Sequence, residues 1–174
     1  MTKQKTALPQ KQRAPELGHR IEAHQQFRLP LAPQPGLCYC EQCGAIGFQK
    51  HWYINPAQER MLRVDKNATS VLCPGCQRVA HEEFEGEVVL RNARITEVPG
   101  EILALIKHTE GKCWHYNPLA KIAQMKEEEG IITIHTTTRF LAERIGKELR
   151  KAFKGTVEFK RSPEEKFVRV YWND

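Results

Sequence analysis

From Glu87 onward the hydrophobic positions follow two rhythms. Glu87-Val-Val-Leu90, Ile131-Ile-Thr-Ile134, Thr156-Val-Glu-Phe159 and Phe167-Val-Arg-Val-Tyr-Trp172 are short β-branched or alternating runs. They read as strands, because successive strand residues face opposite sides of a sheet. Ile102, Leu105 and Ile106 recur at helical spacing behind Pro99 and predict a helix that Gly111 ends. Leu119, Ile122 and Met125 share that spacing, which predicts a second helix from Pro118 to Glu129, closed by Gly130. A third helix runs from Arg139 to Phe153, with Thr136, Thr137 and Thr138 as candidate caps and Gly155 as its stop. The order is strand, helix, helix, strand, helix, strand, strand, and the last two strands turn over Arg161–Glu165. With right-handed crossovers it predicts an α+β unit over residues 86–174, ferredoxin-like, with a mixed four-stranded sheet and helices on one face.

The stretch before it, residues 37–85, is patterned differently. Gly47–Ile54 and Met61–Val64 have strand composition, Asn55-Pro56 reads as a turn, and Ser70-Val-Leu72 leads into a second cysteine pair. The cysteines organise this region: Cys38-Tyr-Cys40-Glu-Gln-Cys43-Gly44, then Cys73-Pro-Gly-Cys76. A Cys-x-x-Cys turn aims both thiolates at one centre, and Gly44 and Gly75 let the backbone turn tightly around the sulfurs. Two such turns supply four sulfurs in a tetrahedron, which suits one structural Zn(II) per chain held by Cys40, Cys43, Cys73 and Cys76. The expected unit is a zinc-ribbon or treble-clef-like module, with so little apolar material that the metal would supply much of its folding free energy, on the order of 10 kcal/mol. Cys38 and His81 are alternative donors beside this complete set. His51 and Trp52 read as packing or surface residues, with base stacking by Trp52 or Tyr53 beside Lys50 as the alternative.

Residues 1–36 read as a disordered basic tail, rich in Pro and Gln, with Leu17–Phe27 as a short candidate helix. It is either a solubilising extension or an arm that orders on RNA or within a large assembly. No run approaches the roughly 20 apolar residues of a membrane span, and Met1 is followed by Lys and Gln rather than an apolar signal region. Paired cysteines without an export signal point to metal in a reducing cytoplasm rather than to disulfides.

The net charge of +6 and pI of about 9.1 attract phosphate backbones or anionic surfaces, and the helix from Arg139 shows where that charge sits. Leu141, Ile145, Leu149 and Ala152 fall on one arc as its core face. Arg139, Arg144, Lys147, Arg150, Lys151 and Lys154 spread over the opposite arc against Glu143 and Glu148. A solvated face mixes signs more evenly, so these six are the candidate nucleic-acid contacts, with Lys160, Arg161 and Arg169 as a possible extension.

No phosphate-binding glycine loop, metalloprotease motif or nucleophile elbow is present. An all-cysteine site leaves no open coordination position. Glu82, Glu83 and Glu85 read as a solvated acidic run, and Cys113, near His115, as an isolated cysteine rather than a nucleophile. The chain is therefore expected to have no enzymatic activity and no small-molecule substrate.

The cysteine knuckles lead into Gly86-Glu-Val-Val-Leu90, Glu101-Ile-Leu-Ala-Leu-Ile106, Asn117-Pro-Leu-Ala-Lys-Ile122, His135-Thr-Thr-Thr-Arg-Phe-Leu-Ala-Glu-Arg-Ile-Gly146, Phe153-Lys-Gly155 and Phe167–Trp172. This layout resembles the amino-terminal region of the Nmd-three family, the archaeal and eukaryotic adaptors for export of the large ribosomal subunit, and its small bacterial relatives. The likeness covers residues 38–172 and is strongest from Glu85. It implies a zinc-containing factor of ribosomal-subunit assembly or quality control, with ligands at Cys40, Cys43, Cys73 and Cys76. The chain departs from the family in having a single four-cysteine site and no translation-factor-like domains, so nuclear export does not carry over. The expected function is a cytoplasmic, zinc-binding accessory factor that contacts ribosomal RNA or a ribosomal subunit in assembly, quality control or dormancy, with ribosomal proteins as further contacts and no membrane. The alternative is a protein–protein adaptor with a structural zinc and no nucleic-acid role.

Overall fold

The computed structural model describes residues 36–91, 94–162 and 166–173, so the expected tail over 1–36, apart from Gly36, and its candidate helix lie outside the described residues. The elements in chain order are β1 (Cys38–Cys40), β2 (Ile46–Phe48), β3 (His51–Tyr53), α1 (Pro56–Val64), β4 (Thr69–Val71) and α2 (Pro74–Ala80). They continue with β5 (Gly86–Arg91), α3 (Arg94–Glu97), α4 (Pro99–Tyr116), β6 (Ile122–Glu128), β7 (Ile131–Thr136), α5 (Arg139–Ala152), β8 (Thr156–Ser162) and β9 (Phe167–Asn173). The strands form two sheets, ordered β3-β2-β1-β4 and β6-β7-β5-β9-β8.

In the first sheet, Gly47–Ile54 is a hairpin rather than one strand. Phe48 pairs with His51, and the two residues between them, Gln49 and Lys50, both have positive φ. Two such residues in succession match the right-handed twist of the flanking strands. Met61–Val64 is the end of a helix, not a strand. Asn55 caps it by accepting from the Gln58 amide at 3.1 Å, Pro56 occupies the first turn, and Arg63 lies in the last turn, where a cation meets the carbonyl end.

The larger sheet has five strands rather than four. Between Pro118 and Glu129 there is no helix; Ile122–Glu128 is strand β6, paired antiparallel to β7. Glu129 and Gly130 both have positive φ and form its two-residue turn. Ala, Gln, Met, Lys and Glu favour a helix locally, but ladder pairing along the edge of β7 overrides that preference. β5 and β6 run parallel with β7 between them, both antiparallel to it, so β5-α4-β6 is a split β-α-β unit. The departure from a four-stranded layer lies on the other side. β9 inserts between β5 and β8, parallel to β5 and antiparallel to β8.

One face of this sheet, built from Val88, Leu90, Ile132, Ile134, Val168, Val170 and Trp172, is buried against α4 and α5. Helix α4 runs through Gly111 to Tyr116. On α5, Leu141, Ile145 and Leu149 are buried as expected, joined by Ala142 and Gly146, while Ala152 is exposed. A Cβ on Gly146 would lie 2.5 Å from the Val170 side chain, so that glycine lets α5 settle onto β9. Helices α4 and α5 are antiparallel to each other, since each runs opposite to the strand before it and β5 opposes β7.

Candidate metal centre

The two cysteine pairs sit on different local structures. Cys40 ends β1 and Cys43 follows on a turn closed by Gly44, whose φ of +74° favours glycine and whose amide donates to the Cys40 carbonyl at 2.8 Å. The Cys40 amide donates to the Ala45 carbonyl at 2.7 Å. Cys73 is the N-cap of α2 and Cys76 lies in its first turn, so helix geometry brings the second pair together. Parallel pairing of β1 with β4 carries β4, and the cysteine beyond it, to the first turn.

The four Sγ atoms lie within 4.8 Å of one another, with Cys40 to Cys76 and Cys43 to Cys73 each at 3.7 Å. A tetrahedron with Zn–S bonds of about 2.3 Å has edges of about 3.8 Å. The donor set and its spacing fit a tetrahedral thiophilic ion. Amides of Cys73 and Cys76 donate to the sulfurs of Cys40 and Cys73 at 3.3 and 3.4 Å, as thiolates require of their surroundings. Cys40, Cys73 and Cys76 are buried and Cys43 is half-buried.

Without a cation, sulfurs this close must share protons. The hydrogen bond with Cys73 lowers the Cys43 thiol to about 4. Cys73, across the same Sγ–Sγ contact, in which either sulfur can donate, is driven far above the ordinary thiol range by it and by burial. Burial pushes Cys76 up to about 12. The Lys121 ammonium acts favourably on both Cys43 and Cys76, and it lies 5.7 Å from the centre of the Trp114 ring. Four thiolates around a divalent cation carry a net charge of −2, so Lys121 is placed to offset part of it.

Gly75, expected as a turn residue, has no positive φ; it is a point of close approach. A Cβ there would lie 2.8 Å from the Pro118 carbonyl oxygen and 3.0 Å from Leu119 Cα. Nearby, Arg78 donates to Glu85 at 2.7 Å and to the Thr137 carbonyl at 2.8 Å. The Lys121 amide donates to Thr137 Oγ1 at 2.9 Å and the Thr137 amide returns a bond to the Lys121 carbonyl at 3.0 Å. The second cysteine pair is thereby docked on the segments that follow α4 and precede α5. Nothing in the sequence pattern marked these contacts, because they are made mostly by backbone atoms.

The other candidates separate clearly. Cys38 lies outside the cluster and donates to the Gly47 carbonyl at 3.5 Å. His81 is the exposed C-cap residue of α2. Trp52 is half-buried, its ring against Gly47 and the sulfur cluster, so it packs the module rather than presenting a face. Cys113 is buried between α4 and α5 and its thiol is raised by that burial, His115 is exposed on α4, and His135 stacks on Phe84 on the far side of the sheet. The fold does not converge these three residues.

Five of the six candidate cations lie on the outer side of α5, with ion pairs among them, whereas Lys154, expected at the end of the helix, falls beyond it because α5 stops at Ala152. Glu143 meets Lys147 at 3.6 Å and Arg161 at 2.9 Å; Glu148 meets Arg144 at 3.0 Å and Lys151 at 3.4 Å. Two carboxylates are thus shared by four cations, and Arg139, Arg150 and Lys154 have no ion-pair partner among the described residues. Burial raises the Glu143 carboxyl, but Arg161 and Lys147 together outweigh it and hold the group below its ordinary value. Arg161 therefore belongs to this surface. Lys160 and Arg169 do not extend it: they pair across the β8–β9 ladder on the opposite face of the sheet, over the Tyr171 and Phe167 rings.

Among the described residues no helix is long and apolar enough to cross a membrane. Comparison with family models, with curated proteins and with solved structures finds no match.

Proposed function

We propose that the chain is a non-enzymatic accessory factor in which a structural zinc in a treble-clef-like module braces an α+β unit that contacts RNA, with ribosomal RNA or a ribosomal subunit as the partner. The helix-borne second cysteine pair, preceded by a knuckle and a hairpin, is the arrangement from which the treble-clef description comes. The ribosomal partner rests on the resemblance to the Nmd-three family, and the cytoplasmic location on paired cysteines without an export signal. The observation that carries the RNA reading is the outer surface of α5, where Arg139, Arg144, Lys147, Arg150 and Lys151 stand against two carboxylates that are already shared, with Lys154 just beyond the helix. Exposed ion pairs hold their partners weakly, at about 0–1 kcal/mol, so phosphates can recruit the paired cations as well as the free ones. Such contacts release counterions, and binding should weaken steeply with salt.

Arg139→Glu, Arg150→Glu and Lys154→Glu together reverse three cations without breaking any described ion pair. Co-sedimentation with ribosomal particles should be abolished at moderate salt, with zinc content and thermal unfolding retained. Sedimentation of this variant like the wild type across a salt titration would defeat the reading. Capture of a polypeptide partner that survives nuclease and ignores salt would favour the adaptor instead.

A further inference from the structure

Four large hydrophobic residues are exposed among the described residues: Met61 and Val64 on α1, Tyr116 on α4 and Phe140 on α5. Tyr116 and Phe140, 77% and 56% exposed, occupy a special position. Tyr116 is the last residue of α4 and Phe140 the second of α5. The helices are antiparallel, and the chain just after the first is hydrogen-bonded to the chain just before the second through Lys121 and Thr137. The two aromatics therefore stand at the same end of the helical layer.

Behind Phe140 runs a line of cations at helical spacing, and behind Tyr116 a lysine and a histidine. On α5 the positions four, seven and eleven residues beyond Phe140 are Arg144, Lys147 and Lys151. On α4 the positions four and eight residues before Tyr116 are Lys112 and His108. Lys107, His108, Gly111, Lys112, His115 and Tyr116 line a shallow depression, with open space where a Gly111 side chain would be. Between the helices the buried Cys113 thiol of α4 feels Arg144 and Glu148 of α5. Two carboxylates of these helices are engaged: Glu110 accepts from the Ile122 amide at 2.6 Å and pairs with Lys107 at 3.2 Å, and Glu148 is held by Arg144 and Lys151. Glu101, exposed at the far end of α4, lies on the stripe of His108 and Lys112. The aromatic end is backed by the metal module, through Gly75 against Pro118 and Leu119 and Arg78 on Thr137. His115 sets the Tyr116 ring edge-to-face at 5.6 Å.

Resting on the RNA reading above, we propose that Tyr116 and Phe140 are stacking platforms for unpaired bases of a single-stranded RNA segment whose phosphates follow the cations of α4 and α5. Every base has a π-face, so two exposed rings beside a cationic track suit an unpaired strand of relaxed sequence. In a duplex the bases are already stacked and the rings have nothing to receive, so a single-stranded loop or end is the substrate class. Held on a rigid end, the rings lose little freedom when a base lands on them.

The test uses the metal-loaded full chain with fluorescein-labelled oligoadenylate, oligouridylate and an RNA duplex of equal length, read by anisotropy across a salt series. Tyr116→Ala and Phe140→Ala should each weaken single-strand binding roughly five- to a hundred-fold while leaving the slope against salt and the duplex affinity unchanged. Tyr116→Trp and Phe140→Trp should restore binding. Both residues are exposed, so zinc content and melting should not move. If the double alanine variant binds the single strands as the wild type does, while the α5 charge reversals still weaken binding, stacking is overturned and the RNA reading stands. Equal losses for strand and duplex also overturn it. A wild-type chain that binds none of these RNAs overturns both readings.

Discussion

The two sheets of this protein are held together by different physics. In the larger one, strands β5, β7 and β9 and helices α4 and α5 bury a continuous set of Ile, Leu, Val and Trp side chains, with Trp172, Ile106 and Leu149 fully enclosed. At roughly 1.5–3 kcal/mol per buried apolar side chain, such a core can offset the entropy of ordering its own chain. The smaller sheet centres on Cys40, Ala45, Cys73 and Cys76, with Trp52, Ile54 and Leu72 only partly buried around them, and its other buried apolar side chains are few: Leu37, Ile46 and Leu62. Its strands are three residues long, and the middle of its core is sulfur. One region folds around a large hydrocarbon core and the other around a cluster of four cysteine sulfurs with a few buried apolar side chains. They also meet in different ways: the sheet unit supplies backbone, at Pro118, Leu119 and Thr137, and the metal unit supplies a glycine and an arginine.

The largest expected effect follows from removing the metal. Chelation, or Cys40→Ser with Cys73→Ser, should withdraw on the order of 10 kcal/mol from the module. Amide exchange should then show protection lost in β1, β2 and β4 and kept in β5, β7 and β9. Simultaneous loss from both sheets would mean that the two regions are one cooperative unit. Acid should act in the same direction as chelation. Cys73 and Cys76 carry raised thiol values, so at neutral pH their protons must leave for the metal to bind, and falling pH favours release. Metal affinity measured by competition should therefore rise with pH.

A smaller effect tests the hydrocarbon side. Trp172→Ala opens the centre of the large core beside Phe153 and should cost about 3–5 kcal/mol in denaturant unfolding. Zinc affinity should not change. A matching loss of zinc would place the metal site under the control of the sheet.

The smallest expected effect addresses the junction. Gly75→Ala places a methyl within 2.8 Å of the Pro118 carbonyl oxygen, an overpacking that should cost about 1–3 kcal/mol. One zinc should still bind, but exchange at the amides of Lys121 and Thr137 should quicken. Unchanged exchange there would show that the two units touch without bracing each other.

Much of this architecture was legible in the residues. The four clustered cysteines, the Arg139 helix with its Thr138 cap, and the closing β8–β9 hairpin are all where local rules place them, because turns, caps and periodicity act over a few neighbours. The helix at Pro56–Val64 was equally local; an Asn-Pro pair is a helix start as readily as a turn, and the apolar residues after it were too few to decide. Ile122–Glu128 was different in kind. Its residues favour a helix, and only the free edge of β7 makes it a strand. The insertion of β9 beside β5 is likewise a matter of long-range pairing that no short window contains.

The chain by itself thus determined the four-cysteine cluster and the sign of the charge on α5, since both depend on residue type and near-neighbour spacing. Tertiary structure alone decided that Arg161 joins that surface while Lys160 and Arg169 leave it, because strand register assigns alternate residues to opposite faces. It also decided that Gly75 is a contact rather than a turn, and that Tyr116 and Phe140 share one end of the molecule. Those placements depend on which backbones meet, and residues far apart in the chain meet only when the core has closed between them.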